Sequence, residues 1–137
     1  MAQPMAARRR LYILTGASRG MGAAMARALL AADVLLLTLS RRPARALQES
    51  ADAAGATLEQ WSVDLGHSVG AAARLEAWLH PHRAEHFASA ALINNAGVIG
   101  TVGSITDSSA EELAGVLRIN LEAPMALTAA FLRATRG

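Results

Sequence analysis

Cysteine is missing from this 137-residue sequence, and so is lysine. Without cysteine the chain can form neither a disulfide framework nor a thiolate metal site, and a reducing cytoplasm is the expected compartment. Long apolar runs are also missing. The two longest, around "ALLAADVLLLTL" and "ASAALINNAGVIG", are broken by Asp33 or by Asn94 and Asn95. Both fall short of the roughly 20 apolar residues that a spanning helix takes, so no membrane segment is expected, and no secretory signal is visible.

The lack of lysine makes all thirteen basic residues arginine, set against eleven acids for a formal charge of +2. So small an excess, spread along the chain, does not make the concentrated basic face that nucleic acid requires, and no nucleic-acid partner is expected. Aromatic residues are few. Trp61 and Trp78 fall on a strand and a helix that should face each other, which points to packing and not to base stacking.

What remains is the balance of a globular protein, 53% hydrophobic and 18% charged, and at this length one domain with a substantial core is expected. Residues 1–10 read as a polar leader ending in Arg8, Arg9 and Arg10, and residues 11–137 as the domain. "LYILT" (11–15) is a short apolar run of the kind found in buried parallel strands, followed by a glycine-rich turn and a helical pattern over 19–31. A second strand (34–39) leads through Pro43 to a helix over 44–54 that Gly55 closes, and "TLEQWSVDL" (57–65) is a third strand. A helix over 68–80 is expected to stop at Pro81, before a fourth strand at 88–94 and a loop to about 106. The final helix is expected to open with a capping box of Ser108 and Glu111, run to about 135, and kink between Asn120 and Pro124. Three strand-to-strand crossovers, each with a helix, give an α/β fold with a parallel sheet.

"TGASRGMG" (15–22) places Gly16, Gly20 and Gly22 between a buried strand and a helix N-terminus. Glycine permits the sharp turn and the close approach of backbone amides to a pyrophosphate, and the positive end of the helix dipole favours the anion. In such units an acid about 20 residues onward usually holds the ribose 2′-hydroxyl. Here that place reads Ser40, Arg41, Arg42, with Arg19 in the turn itself. Guanidinium groups suit a 2′-phosphate, so NADP(H) is preferred over NAD(H).

Other clusters fit plainer roles. "HPHRAEH" brings His80, His82 and His86 near one another, but Pro81 interrupts any helix there, and a polar connection is expected, not a metal site. Asp107, Ser108, Ser109, Glu111 and Glu112 suit a helix start with acids at its positive end.

With "TGASRGMG", Asp64-Leu65 at the end of strand three, "NNAG" at 94–97 after strand four and Asn120 in the next helix, the sequence resembles the short-chain dehydrogenase/reductase family over about residues 10–135. "LTGASRG", "DLG" and "LINNAG" look most like its sepiapterin and benzil reductases. The resemblance implies a Rossmann-like, doubly wound parallel sheet of strand order 3-2-1-4 that stops after the fourth strand and the following helix. It implies that Ser18, Arg19, Arg41 and Arg42 meet the adenosine 2′-phosphate, and that Gly20, Met21 and Gly22 lie under the pyrophosphate. Asp64 and Leu65 would flank the adenine, with Asn95, Ala96 and Gly97 beside its ribose and Asn94 tying neighbouring strands together. Asn120 would hold a water of the proton relay on its backbone carbonyl.

The same resemblance implies NADPH-dependent reduction of a small-molecule carbonyl, or oxidation of an alcohol, by a tyrosine and a lysine in a YxxxK helix. The only tyrosine is Tyr12, in the first strand, and lysine is absent. Arginine is a poor substitute for an ammonium, so the chain is expected to be a cofactor-binding N-terminal portion with little or no turnover. Members of the family are about twice as long. Leu117, Leu121, Met125 and Leu132 would then be left uncovered, and a homo-oligomer or a complementing chain is expected. A stand-alone NADP(H)-binding or regulatory module is the chief alternative, and a basic nucleic-acid binder a remoter one.

Overall fold

The computed structural model describes residues 8–136. In chain order its elements are β1 (Arg10–Thr15), α1 (Gly20–Leu29), β2 (Val34–Ser40), α2 (Arg45–Ala54), β3 (Thr57–Ser62), α3 (Ser68–His82), β4 (Ser89–Ile93), α4 (Ala110–Leu117) and α5 (Ala123–Thr135). The four strands are parallel and ordered β3-β2-β1-β4. This is the α/β, Rossmann-like sheet order that the sequence implies.

Side-chain alternation explains why helices cover both faces. Leu11 and Ile13 of β1 and Leu35, Leu37 and Leu39 of β2 point to one side, into a cluster with α3 and α5 that includes Leu75, Leu79, Leu127 and Phe131. Leu14, Val34 and Leu36 point to the other side and pack with Ala26 of α1 and Leu47 of α2. All seven residues of β2 are buried, as expected of a central parallel strand. Each fully buried leucine stabilises the sheet by roughly 1.5–3 kcal/mol relative to an exposed one. Trp61 and Trp78 do meet, edge to face, with centroids 5.9 Å apart.

The sequence reading needs correction in several places. Arg10 is not leader but the first residue of β1, held by a two-pronged ion pair to Asp33 at 2.8 Å; residues 1–7 of the proposed leader lie outside the described residues. β3 ends at Ser62, so Asp64 and Leu65 sit beyond it at the start of a single 3₁₀ turn, Leu65–His67. Pro81 does not stop α3 but rides in its last turn.

The cap also lies one residue later than expected. Ser109, not Ser108, caps α4 by accepting from the Glu112 amide at 3.1 Å, and the capping box belongs to Ser104 and Asp107 on the preceding 3₁₀ turn, Ile105–Asp107. The anticipated kink takes the form of a π-helical segment, Arg118–Glu122, that joins α4 to α5. Pro124, the second residue of α5, has no N–H to give the carbonyl four residues back, that of Asn120. The ladder changes register there, and the Ala123 amide donates to the Arg118 carbonyl. The continuous run from Ala110 to Thr135 is long and apolar enough, by length and composition, to cross a membrane. Its Leu127, Ala130, Phe131 and Ala134 are packed against the sheet and α3, and its outer Leu117, Leu121, Met125 and Leu132 are exposed.

Candidate active site at the carboxyl ends of the strands

The turn after β1 is shaped by close approach. Gly16 (φ +72°) and Gly20 (φ +56°) occupy the left-handed region, where a side chain would cost roughly 1–2 kcal/mol. A Cβ on Gly16 would stand 2.8 Å from the Ala96 Cα, and one on Gly22 would overlap the Gly16 carbonyl oxygen and come within 2.5 Å of Asn95 Nδ2. At Gly20 nothing lies within 4 Å of such a Cβ. The turn is thus packed hard on its inner side and open on its outer side. Gly20, Met21 and Gly22 form the first turn of α1, whose amides have no acceptor within the helix.

Hydrogen bonds lock this turn to its neighbours. Asn95 Nδ2 donates to the carbonyls of Thr15 (3.2 Å) and Gly16 (3.1 Å), and the amides of Asn95 and Ala96 both donate to the buried Thr15 hydroxyl at 3.0 Å. The Ala17 amide donates to Ser40 Oγ at 2.9 Å. Asn95 therefore performs the cross-strand tie that the resemblance assigns to Asn94. Asn94 instead donates to Thr128 Oγ1 of α5 at 3.1 Å.

Around the turn lies a cleft of about 510 Å³ at the carboxyl ends of the strands. Gly16, Ser18, Arg19, Gly20, Met21 and Gly22 line its middle, Ser40, Arg41, Asp64 and Leu65 one end, and Asn95, Ala96, Gly97, Val98 and Ile119 the other. Its charged side chains are Arg19, Arg41 and Asp64. Neither guanidinium has an ion-pair or hydrogen-bonding side-chain partner among the described residues, and with Asp64 counted the cleft lining keeps a formal excess of one positive charge. Asp64 is partly committed, since its Oδ1 accepts from the Gly66 amide at 2.8 Å and Oδ2 faces His67 Nδ1 at 3.7 Å.

Two candidates stand apart. Arg42 is exposed and does not line the cleft, and the Asn120 side chain is turned to the backbone of Val98, accepting from its amide at 2.8 Å and donating to its carbonyl at 2.7 Å. Tyr12 is half-buried in β1 with the Arg10 guanidinium 5.9 Å from its ring centroid, and it is not among the cleft residues. His82 stacks on Trp78 at 4.0 Å, while His80 and His86 are exposed.

The roles of Thr15, Val63 and Ile119 are not legible in the sequence, whereas Val98 belongs to the loop expected to line this side of the molecule. A threonine closing a strand before a glycine turn is the one available signal; Val63 reaches the cleft from the connection after β3 and Ile119 from the π-helical segment, placements that no local motif records.

Comparison with known proteins agrees with this geometry. The description "short chain dehydrogenase" belongs to the family whose sequence model matches residues 10–137. The chain is 30% identical over 127 residues to benzil reductase ((S)-benzoin forming) of Bacillus cereus, covering 93% of this chain and 51% of that enzyme. It is 33% identical to sepiapterin reductase of Bos taurus, covering 92% of this chain and 51% of the other. A metagenomic short-chain oxidoreductase solved in complex with NADP superposes with a TM-score of 0.75 at 32% identity, over 91% of this chain and 56% of that one. The chain spans about half the length of the curated relatives it matches.

Proposed function

The chain belongs to the short chain dehydrogenase family, and from that premise we propose that it is the NADP(H)-binding portion of an oxidoreductase acting on small-molecule carbonyls or alcohols. The observation that carries this reading is the pair of guanidinium groups, Arg19 and Arg41, without a side-chain partner among the described residues, beside a glycine turn that is open on its outer side. The NADP held by the metagenomic relative lends support.

In this reading the amides of Gly20, Met21 and Gly22 receive the pyrophosphate at the positive end of α1. Arg19 and Arg41, with Ser18, receive the 2′-phosphate, while Arg42 adds long-range charge. Ser40 acts by holding the Ala17 amide and so the turn. Asp64 offers Oδ2 to the adenine amine beside Leu65, and Asn95, Ala96 and Gly97 form the ribose wall. The chemistry that NADPH would supply when held there is a hydride for a carbonyl carbon. The Asn120 carbonyl, which Pro124 cannot serve as a donor, is the acceptor for a relay water. A cytoplasmic setting, and a second copy or a complementing chain on the exposed face of α4 and α5, complete the proposal.

Titration of the purified chain with NADPH and NADH tests it. NADPH should bind more tightly, and Arg41→Asp should weaken it about 10- to 100-fold, as expected for a lost charge-assisted contact, with little effect on NADH. Equal affinity for the two coenzymes, or NADPH binding that survives Arg41→Asp, contradicts the reading.

A second reading, an NADP(H)-binding module without turnover of its own, is favoured by the missing lysine and by the place of Tyr12 in β1. General acid catalysis typically contributes about 10² to 10⁴ in rate, so only trace reduction of a diketone is expected from this chain. An in-frame downstream YxxxK stretch would favour the oxidoreductase reading, and robust turnover by the purified chain would overturn the expectation of trace activity that both readings share.

A further inference from the structure

Between β4 and α4 the backbone has no ladder, yet it is not irregular in sequence. Residues 97–105 read Gly-Val-Ile, Gly-Thr-Val, Gly-Ser-Ile, a three-residue pattern repeated three times. The structure gives each position of the triplet its own role. A Cβ on Gly97 would meet Asn120 Oδ1 at 3.4 Å, one on Gly100 would meet Val116 Cγ2 at 3.1 Å, and one on Gly103 would meet Asp107 Oδ2 at 3.1 Å. Gly100 and Gly103 are the points of close approach, and Gly97 is in ordinary contact.

The amide that follows each glycine donates to a side-chain oxygen: Val98 to Asn120 Oδ1 at 2.8 Å, Thr101 to Glu112 Oε1 at 2.7 Å, and Ser104 to Asp107 Oδ2 at 3.2 Å. Glu112 Oε1 also accepts from the Thr101 hydroxyl. The third position of each triplet, Ile99, Val102 and Ile105, is 88%, 89% and 75% exposed. Three carbonyl or carboxylate oxygens thus do for this strap what a neighbouring strand does for a sheet edge.

Glycine-rich backbone loses the most freedom on ordering, so the anchors decide whether the strap has one conformation or many. Its first anchored residue, Val98, lines the cleft opposite the Arg41 end. A dinucleotide whose 2′-phosphate lies at Arg41 and whose pyrophosphate crosses the glycine turn has its other half on the Val98 and Ile119 side. We infer that the strap is a preorganised wall for the nicotinamide half of the cofactor, and that Glu112, its middle anchor, is a positioning residue for that half alone. This inference rests on the NADP(H) reading of the cleft.

The test uses the full chain with two probes, NADPH and adenosine 2′,5′-bisphosphate, and follows hydrogen exchange of residues 97–105. In Glu112→Ala the Thr101 amide should exchange faster and NADPH affinity should fall roughly tenfold, because fewer molecules hold the binding-competent strap. Adenosine 2′,5′-bisphosphate, which does not reach the strap, should bind as before and so report an intact fold. Glu112→Gln keeps the accepting oxygen and should restore NADPH binding to within about twofold of the original. Faster exchange with unchanged NADPH affinity, unchanged exchange, or equal weakening of both probes overturns the role of Glu112 and leaves the cofactor reading standing. A parent chain that binds neither probe overturns the cofactor reading, and this inference with it.

Discussion

At the scale of single residues, the glycines of the turn differ in kind although the sequence shows them alike. Gly22 is constrained by space: a methyl group there would meet the Gly16 carbonyl and Asn95 Nδ2, both fixed by other bonds. Gly20 is constrained by its positive φ, with open space around it. Gly22→Ala should therefore cost about 3 kcal/mol or more, at the upper end of overpacking penalties, and Gly20→Ala about 1–2 kcal/mol. Denaturant unfolding of the two variants measures the difference, and equal costs would contradict the packing of Asn95 under the turn. The sequence made the glycines, Arg19 and Arg41 legible because their chemistry is local. It could not assign Asn95 against Asn94, since which amide points beneath the turn depends on the phase of β4 against β1.

At the scale of elements, periodicity located all four strands and all the main helices, because apolar alternation and glycine or proline punctuation are recorded locally. Ends were less legible. Ser108 and Glu111 have capping-box spacing, yet Ser109 and its bond to the Glu112 amide open α4. Ser108 is displaced because its own amide closes the preceding 3₁₀ turn on the Ile105 carbonyl at 3.3 Å. Replacing Ser109 with Ala should thus lower stability by about 1 kcal/mol, the usual worth of an N-cap, and Ser108→Ala should change little. Thermal unfolding of both variants decides between the two caps. The π segment was half legible: Pro124 announced a defect in the helix, but a change of hydrogen-bond register in place of a kink depends on how α5 seats Leu127 and Phe131 in the core.

At the scale of the whole molecule, ion pairs tie distant segments together and make stability depend on pH. The Arg10 guanidinium holds the Asp33 carboxyl below its ordinary value of 3.8. Arg133 likewise holds Glu76, and the Thr101 hydroxyl and amide hold Glu112, below their ordinary 4.5. A carboxyl whose folded value lies below its unfolded one stabilises fully above the unfolded value and loses that contribution as pH falls through the folded one. The unfolding midpoint should be flat with respect to these groups above about pH 5 and decline below their ordinary values. Arg10→Met and Arg133→Met should lower the plateau and make the acid decline shallower. A midpoint that rises on acidification would contradict the pairing.

The central claim also belongs to the whole molecule, since the cleft exists only where β1, β2, β3 and β4 end together: the glycine turn at the start of α1 receives a pyrophosphate, and Arg41 beyond β2 selects the 2′-phosphorylated coenzyme. A crystal structure of the chain grown with NADPH tests it most directly. The account predicts pyrophosphate oxygens within hydrogen-bonding reach of the amides of Gly20, Met21 and Gly22, and the 2′-phosphate against Arg19 and Arg41. NADPH bound elsewhere, or bound with its 2′-phosphate away from both guanidinium groups, would contradict it.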